Sequence, residues 1–302
     1  MRIAAIDIGS NAIRFRVVEV FEDPEGPVFK KIENVRFPLR LGAEVFSEGK
    51  ISLANEDRFI KLMQAYRVLM DLYSVEHHIA HATSAMREAE NGLRIANRVA
   101  DYCHLNLSII DGEREADLLA NAINPVLGEG NYAHIDVGGG STEINLYKDK
   151  VHLGSRSFKL GSVRGMLSND RGKTRFNDLG EWVEGVLGET DATPIAIGTG
   201  GNIKAMYEQS KASRNKIGLK KLISTRNKIN ALDIEERIRK LKMGRDRADV
   251  IVQGADIYIN VMKKAKAKSI IVPGTGLIDG IIQEAYNEYV GFPSQIRNPD
   301  KV

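Results

Sequence analysis

The chain has 302 residues, a hydrophobic fraction of 43% and a formal net charge of +3 at pH 7. This length fits two domains of ordinary size, and the apolar fraction is sufficient to form their cores. No apolar run reaches the length of a membrane span, and the single cysteine, Cys103, excludes an internal disulfide, so we expect a cytoplasmic protein without a membrane partner.

The first half of the chain predicts three strands followed by alternating helices and strands. Its N-terminal segment is already typical of a β-strand rather than of a signal peptide. The predicted elements are strands at Ile3–Ile8, Ile13–Val20 and Val28–Arg36, a helix at Asn55–Tyr73, a strand at Ile79–Ala82, helices at Ser84–Glu90 and Leu93–His104, a strand at Leu107–Ile110 and a helix at Arg114–Ile123.

The second half predicts the same order of elements. Two further strands each run into a glycine loop, Gly198–Asn202 or Gly274–Gly276, and a helix follows each loop. The predicted strands are Tyr132–Val137, Glu143–Lys148, Lys150–Leu160, Pro194–Ile197 and Ser269–Val272.

Alternating strands and helices are typical of an α/β protein. The repeated order predicts two similar domains, residues 1–118 and 119–283, that face each other across a cleft. A C-terminal helix at about 284–302 is expected to join the first domain. This layout resembles the actin-like and sugar-kinase superfold, whose domains are ribonuclease-H-like units of order βββαβα.

One loop sequence occurs at the same place in each half. Ile6–Asn11 ends the first predicted strand, and Ile135–Thr142 ends the equivalent strand in the second half. Glycine allows close approach of the backbone to a ligand, and consecutive turn amides form a concave anion site. Each copy also holds an aspartate in a buried strand, which is costly without a partner. The pair predicts a polyanion clamped between the halves with a cation; the alternative for either copy alone is an ordinary hairpin.

The segment Lys204–Arg247 is strongly basic. It contains 14 Lys and Arg against 5 Asp and Glu, a net charge of +9, which leaves −6 for the rest of the chain. Such a segment suggests an anionic partner, although solvated helix faces are the commoner outcome. No aromatic residues are interleaved to stack bases, so we expect no nucleic-acid partner. We predict that Lys216, Lys220 and Lys221 form a track for a polyanion.

Five motifs in order resemble the exopolyphosphatase / guanosine pentaphosphate phosphohydrolase family, in its short two-domain form. The resemblance extends from residue 3 to about residue 285. Further segments of the same kind begin at Arg40, Leu160 and Arg247. The five motifs are Asp7–Asn11 with Arg14, Ala82–Ala89, Asp111–Ala116, Asp136–Glu143 and Gly198–Gly201.

The family resemblance implies roles for individual residues. Glu115 is expected to be the base that activates water for attack on the terminal phosphorus. The alternative for Glu115 is an exposed first-turn acid favoured by the helix dipole, and Glu113 is a less suitable base. Asp7, Asp136 and Glu143 are expected to hold Mg²⁺, with a monovalent cation such as K⁺ as a second candidate. The expected phosphate-binding residues are Gly9, Ser10, Asn11, Arg14, Arg87, Gly138, Gly139, Gly140, Ser141 and Thr142.

Some of these assignments have alternatives. Glu143 could be a solvated acid at a strand edge, Arg87 a surface arginine of a helix, and Arg14 a side chain lying in water. The chain also departs from the family pattern at Ala12, where a hydroxyl residue is usual; the missing hydrogen bond to phosphate is worth about 1–3 kcal/mol. Longer relatives carry a helical C-terminal extension, and we expect activities that depend on it to be absent here.

The resemblance predicts a Mg²⁺-dependent exopolyphosphatase that releases orthophosphate from the end of inorganic polyphosphate. Its nearest alternative is hydrolysis of the 5′-γ-phosphate of guanosine pentaphosphate, which the same two loops would serve. Alternatives from other classes are an actin-like kinase and a non-catalytic module that binds an alarmone. A homodimer is a further expectation.

Overall fold

The computed structural model describes residues 1–167, 173–188 and 193–291. The strands in these ranges are β1 Arg2–Ile8, β2 Ile13–Phe21, β3 Val28–Phe37, β4 His77–Ala82, β5 Leu107–Ile109, β6 Asn131–Val137, β7 Thr142–Lys148, β8 Val151–Phe158, β9 Ile195–Thr199, β10 Lys216–Gly218 and β11 Ser269–Ile271. The helices are α1 Leu41–Glu48, α2 Leu53–Leu72, α3 Ser84–Glu88, α4 Gly92–Cys103, α5 Gly112–Ile123, α6 Ser162–Leu167, α7 Lys173–Leu187, α8 Gly201–Ser210, α9 Leu219–Asn230, α10 Ile234–Leu241, α11 Arg245–Ala248, α12 Ile251–Lys264 and α13 Leu277–Tyr289.

The strands form two mixed sheets with matching connectivity. The first has the order β3-β2-β1-β4-β5 and the second β10-β11-β9-β6-β7-β8. In each sheet the first strand of the half pairs antiparallel with the second and parallel with the fourth. The predicted α/β class and the repeated three-strand start are therefore confirmed, and each predicted strand lies within two residues of an observed one.

Helices cover both faces of each sheet. On the first sheet, one apolar cluster includes Phe15, Phe59 and Met63, and a second cluster on residues such as Ile3 includes apolar side chains of α13. Helix α13 thus packs on the first sheet although it follows the second along the chain. A side chain at Gly280 would collide with the Leu118 carbonyl oxygen, so α13 and α5 approach each other backbone to backbone. The division of the chain at residues 118 and 283 stays a prediction. The predicted C-terminal helix at about 284–302 overlaps α13, and residues 292–302 lie outside the described ranges.

Several helices were not predicted, namely α1, α6, α7, α9, α10, α11 and α12. Helix α3 ends at Glu88 rather than Glu90, and α4 begins at Gly92. Helix α5 begins two residues before the predicted Arg114 because the side chain of Asp111 caps it. The Asp111 carboxylate accepts a hydrogen bond from the Arg114 backbone amide at 2.8 Å. Across the described ranges, no helix combines the length and apolar character needed to cross a membrane.

Candidate active site

The two glycine turns contact each other at the centre of the molecule. A Cβ atom added at Gly139 would lie 2.9 Å from Ser10 Cβ and 3.2 Å from the Asn11 amide nitrogen. A Cβ added at Gly140 would collide with Ser84 and Phe46. We expected these glycines to allow close approach of a phosphate; the nearest atoms show that Gly139 allows close approach of the opposite turn, and Gly140 that of Ser84 and Phe46.

A cleft of about 490 Å³ opens beside the paired turns and is lined by both halves of the chain. Among the predicted site residues, its lining includes Asp7, Gly9, Ser10, Asn11, Arg14, Glu115, Asp136, Gly138, Gly139 and Ser141. Gly140, Thr142, Glu143 and Arg87 lie outside this lining. The structure therefore brings most of the predicted residues to one cavity and places the others behind it.

Three of the residues assigned to phosphate binding make contacts within the protein. The Ser10 hydroxyl lies 2.8 Å from the Ser84 hydroxyl, and Thr142 Oγ1 donates to the Leu160 carbonyl. The Asn11 amide donates to the Asp246 carbonyl at 2.9 Å. In this arrangement these side chains fix the turns, and the turn backbone faces the cleft.

Asp7 is buried at the end of β1 and has a cationic partner. It is 2% exposed and directly opposite Arg14 on β2. Arg14 Nη1 donates to Asp7 Oδ2 at 2.6 Å. The pair explains how a carboxylate is tolerated in the strand, and it places one positive and one negative group on the cleft wall.

Asp136 and Glu143 form the equivalent cross-strand pair in the second half. They are opposite each other on β6 and β7, and Glu143 is fully buried. Ser157 donates to Glu143 Oε1 at 2.8 Å, whereas Glu143 Oε2 has no hydrogen-bond partner. Burial, together with the charge of Asp136, raises the pKa of Glu143 to about 7, and burial also raises the pKa of Asp136. The pair holds more negative charge than its surroundings compensate.

Glu115 lies in the first turn of α5 and is 7% exposed, and its Oε2 atom is buried without a hydrogen-bond partner. Glu113, in the same turn, is exposed. Burial, followed by repulsion from Glu143, raises the pKa of Glu115 well above its ordinary value. The alternative of a solvated first-turn acid therefore applies to Glu113 and not to Glu115.

Arg87 lies between Glu115 and the chain segment that follows β5. Its Nη1 atom lies 4.0 Å from Glu115 Oε2 and donates to the carbonyl oxygen of Ile110. The guanidinium opposes the rise in the pKa of Glu115. Arg87 is thus placed to influence the charge of Glu115. Arg87 itself is not among the residues that line the cleft.

Comparison with known proteins decides the family. The model of the Ppx/GppA phosphatase family matches residues 19–288. The chain belongs to the Ppx/GppA phosphatase family. It is 26% identical over 306 aligned positions to exopolyphosphatase 1 of Mycobacterium tuberculosis, covering 93% of this chain and 87% of that protein. It is 24% identical to the guanosine-5′-triphosphate,3′-diphosphate pyrophosphatase of Aeromonas salmonicida, covering 92% of this chain and 58% of that protein.

Solved structures of Ppx/GppA proteins share the fold. A Cytophaga hutchinsonii exopolyphosphatase superposes with a TM-score of 0.83 at 23% identity, covering 96% of this chain and 98% of that one. The Aquifex aeolicus PPX-GPPA enzyme superposes with a TM-score of 0.75 at 24% identity, covering 94% and 99%. The resemblance predicted from the motifs is therefore confirmed at the level of the family and the fold.

The basic side chains on the cleft of this Ppx/GppA chain differ from the predicted track. Lys216, Lys220 and Lys221 are exposed on β10 and α9, outside the cleft lining. Burial, followed by repulsion from two nearby arginines, lowers the pKa of Arg247 to about 10. The cationic residues that line the cleft are Arg14, Arg16, Arg36, Lys204, Lys242 and Arg247.

Two ion pairs that were not predicted from the sequence join the halves. Arg36 pairs with Asp246 at 2.5 Å, and Arg40 pairs with Asp249 at 2.5 Å. Each pair connects the first half with the segment around α11. Neither aspartate stands out locally, because each lies among basic residues that already offer nearby partners; only the fold reveals the contact.

A second missed group surrounds Asp136. Thr199 donates to Asp136 Oδ2, and Tyr258 bridges the ends of β6 and β9 by accepting the Val137 amide and donating to the Thr199 carbonyl. His134 is fully buried next to Thr199, and burial lowers its pKa to about 3, so the ring is neutral at pH 7. A threonine in a predicted glycine loop was the only sequence signal for this group.

The carboxylates do not form a closed metal cage. Within the described parts of the chain, no three His, Cys, Asp or Glu side chains are grouped as a metal site. Mg²⁺ in phosphate-transfer sites is commonly held by one or two carboxylates together with substrate phosphates and waters. Asp136 lines the cleft and fits that simpler requirement. Next to it on β7, outside the lining, Glu143 offers a carboxylate oxygen that has no hydrogen-bond partner.

Proposed function

We propose that this protein is an exopolyphosphatase that hydrolyses the terminal phosphoanhydride bond of inorganic polyphosphate and releases orthophosphate. The observation that carries the proposal is the buried carboxylate oxygen of Glu115, which has no hydrogen-bond partner and lies at the cleft beside the two glycine turns. A carboxylate with a raised pKa is a suitable general base near neutral pH. The high coverage of a mycobacterial exopolyphosphatase supports the choice of substrate.

The proposed reaction is a direct displacement by water. Glu115 holds the water and accepts its proton while the water oxygen attacks the terminal phosphorus and the bond to the bridging oxygen breaks. The penultimate phosphate leaves with that oxygen. The turns at Gly9–Asn11 and Gly138–Ser141 hold the terminal phosphates, and Arg14 supplies positive charge on the cleft wall.

We propose Mg²⁺ as the cofactor, with K⁺ as a second cation. Asp136 and Glu143 would hold Mg²⁺ together with the substrate, and Asp7 would act through water because its Oδ2 is already paired with Arg14. The two carboxyl groups are opposite each other on β6 and β7, and the Glu143 oxygen that lacks a hydrogen-bond partner supports a cation there. When bound, Mg²⁺ supplies neutralisation of charge on the phosphates.

We also propose that the protein is cytoplasmic and forms a homodimer. The single buried cysteine, Cys103, is consistent with the reducing environment of the cytoplasm. Analytical ultracentrifugation of the purified chain tests the homodimer. A single species with the mass of one chain across the accessible concentration range would rule it out.

The substrate is tested by measuring phosphate release with Mg²⁺ from polyphosphates of several lengths, guanosine pentaphosphate and ATP. We expect the highest kcat/KM with polyphosphate, little release from ATP and none from any substrate without a divalent cation. Guanosine pentaphosphate is the second candidate because the relatives include a protein named for that activity. Phosphate release from guanosine pentaphosphate alone would identify that compound as the substrate instead of polyphosphate. Binding of an alarmone without any turnover would indicate a non-catalytic regulator instead of an enzyme.

The basic segment gives a prediction about long chains. Replacing Lys216, Lys220 and Lys221 with glutamine is expected to raise KM for long polyphosphate and leave turnover of short chains nearly unchanged. A long anion gains from many weak contacts that salt screens, so KM for long chains should rise with salt more steeply than KM for short chains.

Two further variants locate the path of the chain. Lys204→Gln with Lys242→Gln removes the lysines that line the cleft, and we expect it to affect short and long substrates alike. The matched control replaces Lys30, Lys31 and Lys61, which are exposed in the first half. If the control triple raises KM for long chains as much as the Lys216 triple does, the effect is one of net charge and the track is wrong.

A further inference from the structure

A line of buried polar side chains leads from Asp136 into the second sheet. His134 and Asn145 are fully buried and opposite each other on β6 and β7, while Thr199 is 1% exposed and opposite Asp136 on β9. The hydrogen bonds are continuous: Asn145 Nδ2 lies 3.1 Å from His134 Nδ1, and His134 Nε2 lies 2.8 Å from Thr199 Oγ1. The Thr199 hydroxyl completes the line at Asp136 Oδ2.

The far end of the line fixes the direction of every hydrogen bond in it. Asn145 Nδ2 also lies 3.4 Å from the main-chain carbonyl of Ala116, which can only accept. The amide nitrogen of Asn145 therefore points toward Ala116 and His134. His134 Nδ1, which faces a donor, must be the unprotonated nitrogen.

The same reasoning continues to the carboxylate. A neutral imidazole with an unprotonated Nδ1 carries its hydrogen on Nε2, so His134 donates to Thr199 Oγ1. The single hydroxyl hydrogen of Thr199 is then directed at Asp136 Oδ2. Each hydrogen bond in the line then has one direction, and turning the Thr199 hydroxyl hydrogen away would remove a hydrogen bond from Asp136. The Asn145 Oδ1 atom has no hydrogen-bond partner.

We propose that Asn145, His134 and Thr199 are positioning residues that hold the Asp136 carboxylate in one orientation toward the cleft. Because the line begins at Ala116, the residue after Glu115, it also connects the orientation of Asp136 with the helix that carries the base. The assignment of Asp136 to the cation and phosphates rests on the proposed function; the hydrogen-bond directions do not.

A purely structural role does not account for the line. Tyr132 and Ile197 lie on the same face of the sheet as His134 and belong to a buried apolar cluster, so apolar packing is available beside these positions. Replacing both members of a buried polar pair by apolar groups of similar shape can be nearly neutral for stability. The ends of β6 and β9 are held separately by the Tyr258 hydroxyl, which contacts main-chain atoms of Val137 and Thr199.

The first test is the tautomer of His134 in the unmodified protein. Long-range ¹H–¹⁵N correlation spectra at neutral pH should show the pattern of a neutral ring protonated at Nε2, with Nδ1 unprotonated. This measurement needs no substrate, no cation and no variant. An Nδ1–H ring or a charged ring would overturn the proposal, whether or not the protein hydrolyses polyphosphate.

The second test uses variants that remove the line without removing Asp136. One variant is Thr199→Val, and the other is the double variant His134→Leu with Asn145→Leu. Each is expected to weaken the binding of Mn²⁺, which serves as a paramagnetic probe, and to lower kcat by about 10–100-fold. The matched control is Thr225→Val, which removes a buried hydroxyl of α9 that bonds only within its helix. Folding is checked by thermal unfolding.

The two readouts separate the possible failures. Weakened Mn²⁺ binding in both line variants, with Thr225→Val at wild-type values, supports the positioning role even if polyphosphate proves not to be the substrate. Wild-type Mn²⁺ binding and wild-type kcat in a folded Thr199→Val protein would overturn it. If either of the two variants fails to fold, the His134 tautomer and the measurements on the other variant test the positioning role.

Discussion

Glu115→Gln is expected to lower the rate of phosphate release by a factor of about 10²–10⁴ while leaving substrate binding close to its wild-type value. Glutamine keeps the shape of the side chain in its buried position but cannot accept a proton from water. The measurement is single-turnover phosphate release, with affinity for polyphosphate measured separately by competition. Glu113→Gln is the matched control, because it makes the same change on the same helix turn at an exposed position.

The pH dependence of kcat/KM, compared between the wild type and Glu115→Gln, adds a second readout. The pKa of Glu115 is raised, so the base is protonated and inactive at low pH, and kcat/KM of the wild type should rise with pH until the carboxylate ionises. Arg87 and a bound cation oppose that rise and should move the limb to lower pH. In Glu115→Gln the limb should be absent. Near-normal turnover with the limb retained would assign the base elsewhere, and Glu143 would be the first candidate.

The sequence was sufficient to predict the sheets and the two turns because both depend on local patterns. Alternating apolar residues and glycine turns specify β1–β2 and β6–β7 from short segments. The repeated aspartate then identifies which end of each sheet carries the site. Helix α5 was also predicted, and its cap at Asp111 determines that Glu115 lies in the first turn.

What the sequence could not supply are contacts between distant segments. Only glycine fits at position 139 because Ser10, more than a hundred residues earlier in the chain, packs against it. The Arg87 side chain is oriented by a hydrogen bond to the carbonyl oxygen of Ile110, which follows β5. His134 and Asn145 occupy strands that otherwise read as apolar, so their pairing is visible only in the register of β6 and β7. Lys216, Lys220 and Lys221 lie outside the cleft lining, and the track along them stays a prediction. Net charge along a segment carries no information about which side chains face a cavity.

The contacts between the halves have a common consequence for the cleft. The packed turns lie at its floor, and the ion pairs of Asp246 and Asp249 hold the α11 segment against the first half. The distance between the two glycine turns is therefore set by packing as well as by ion pairs. Packing in a close-fitting contact responds to a single added methyl group, whereas partly exposed ion pairs contribute little each.

Gly139→Val and Asp136→Asn are both expected to remove most of the activity, by different routes. A valine at 139 places its side chain against Ser10 Cβ and the Asn11 amide, which forces the two turns apart. Overpacking of this kind costs about 1–3 kcal/mol, equivalent to about 10–100-fold in kcat/KM if the closed turns are needed for catalysis. Asparagine at 136 keeps the packing and removes one negative charge, so it should weaken the binding of Mg²⁺.

A Mg²⁺ titration of phosphate release distinguishes the two routes. Excess Mg²⁺ should restore part of the activity of Asp136→Asn, because mass action compensates for a weaker site. It should not restore Gly139→Val, whose defect is the distance between the turns. The control for the valine is Gly185→Val on α7, where an added Cβ meets nothing within 4 Å. Identical Mg²⁺ curves for the two site variants would mean that both act through the cation, and the packing of Gly139 against the opposite turn would then have no catalytic role.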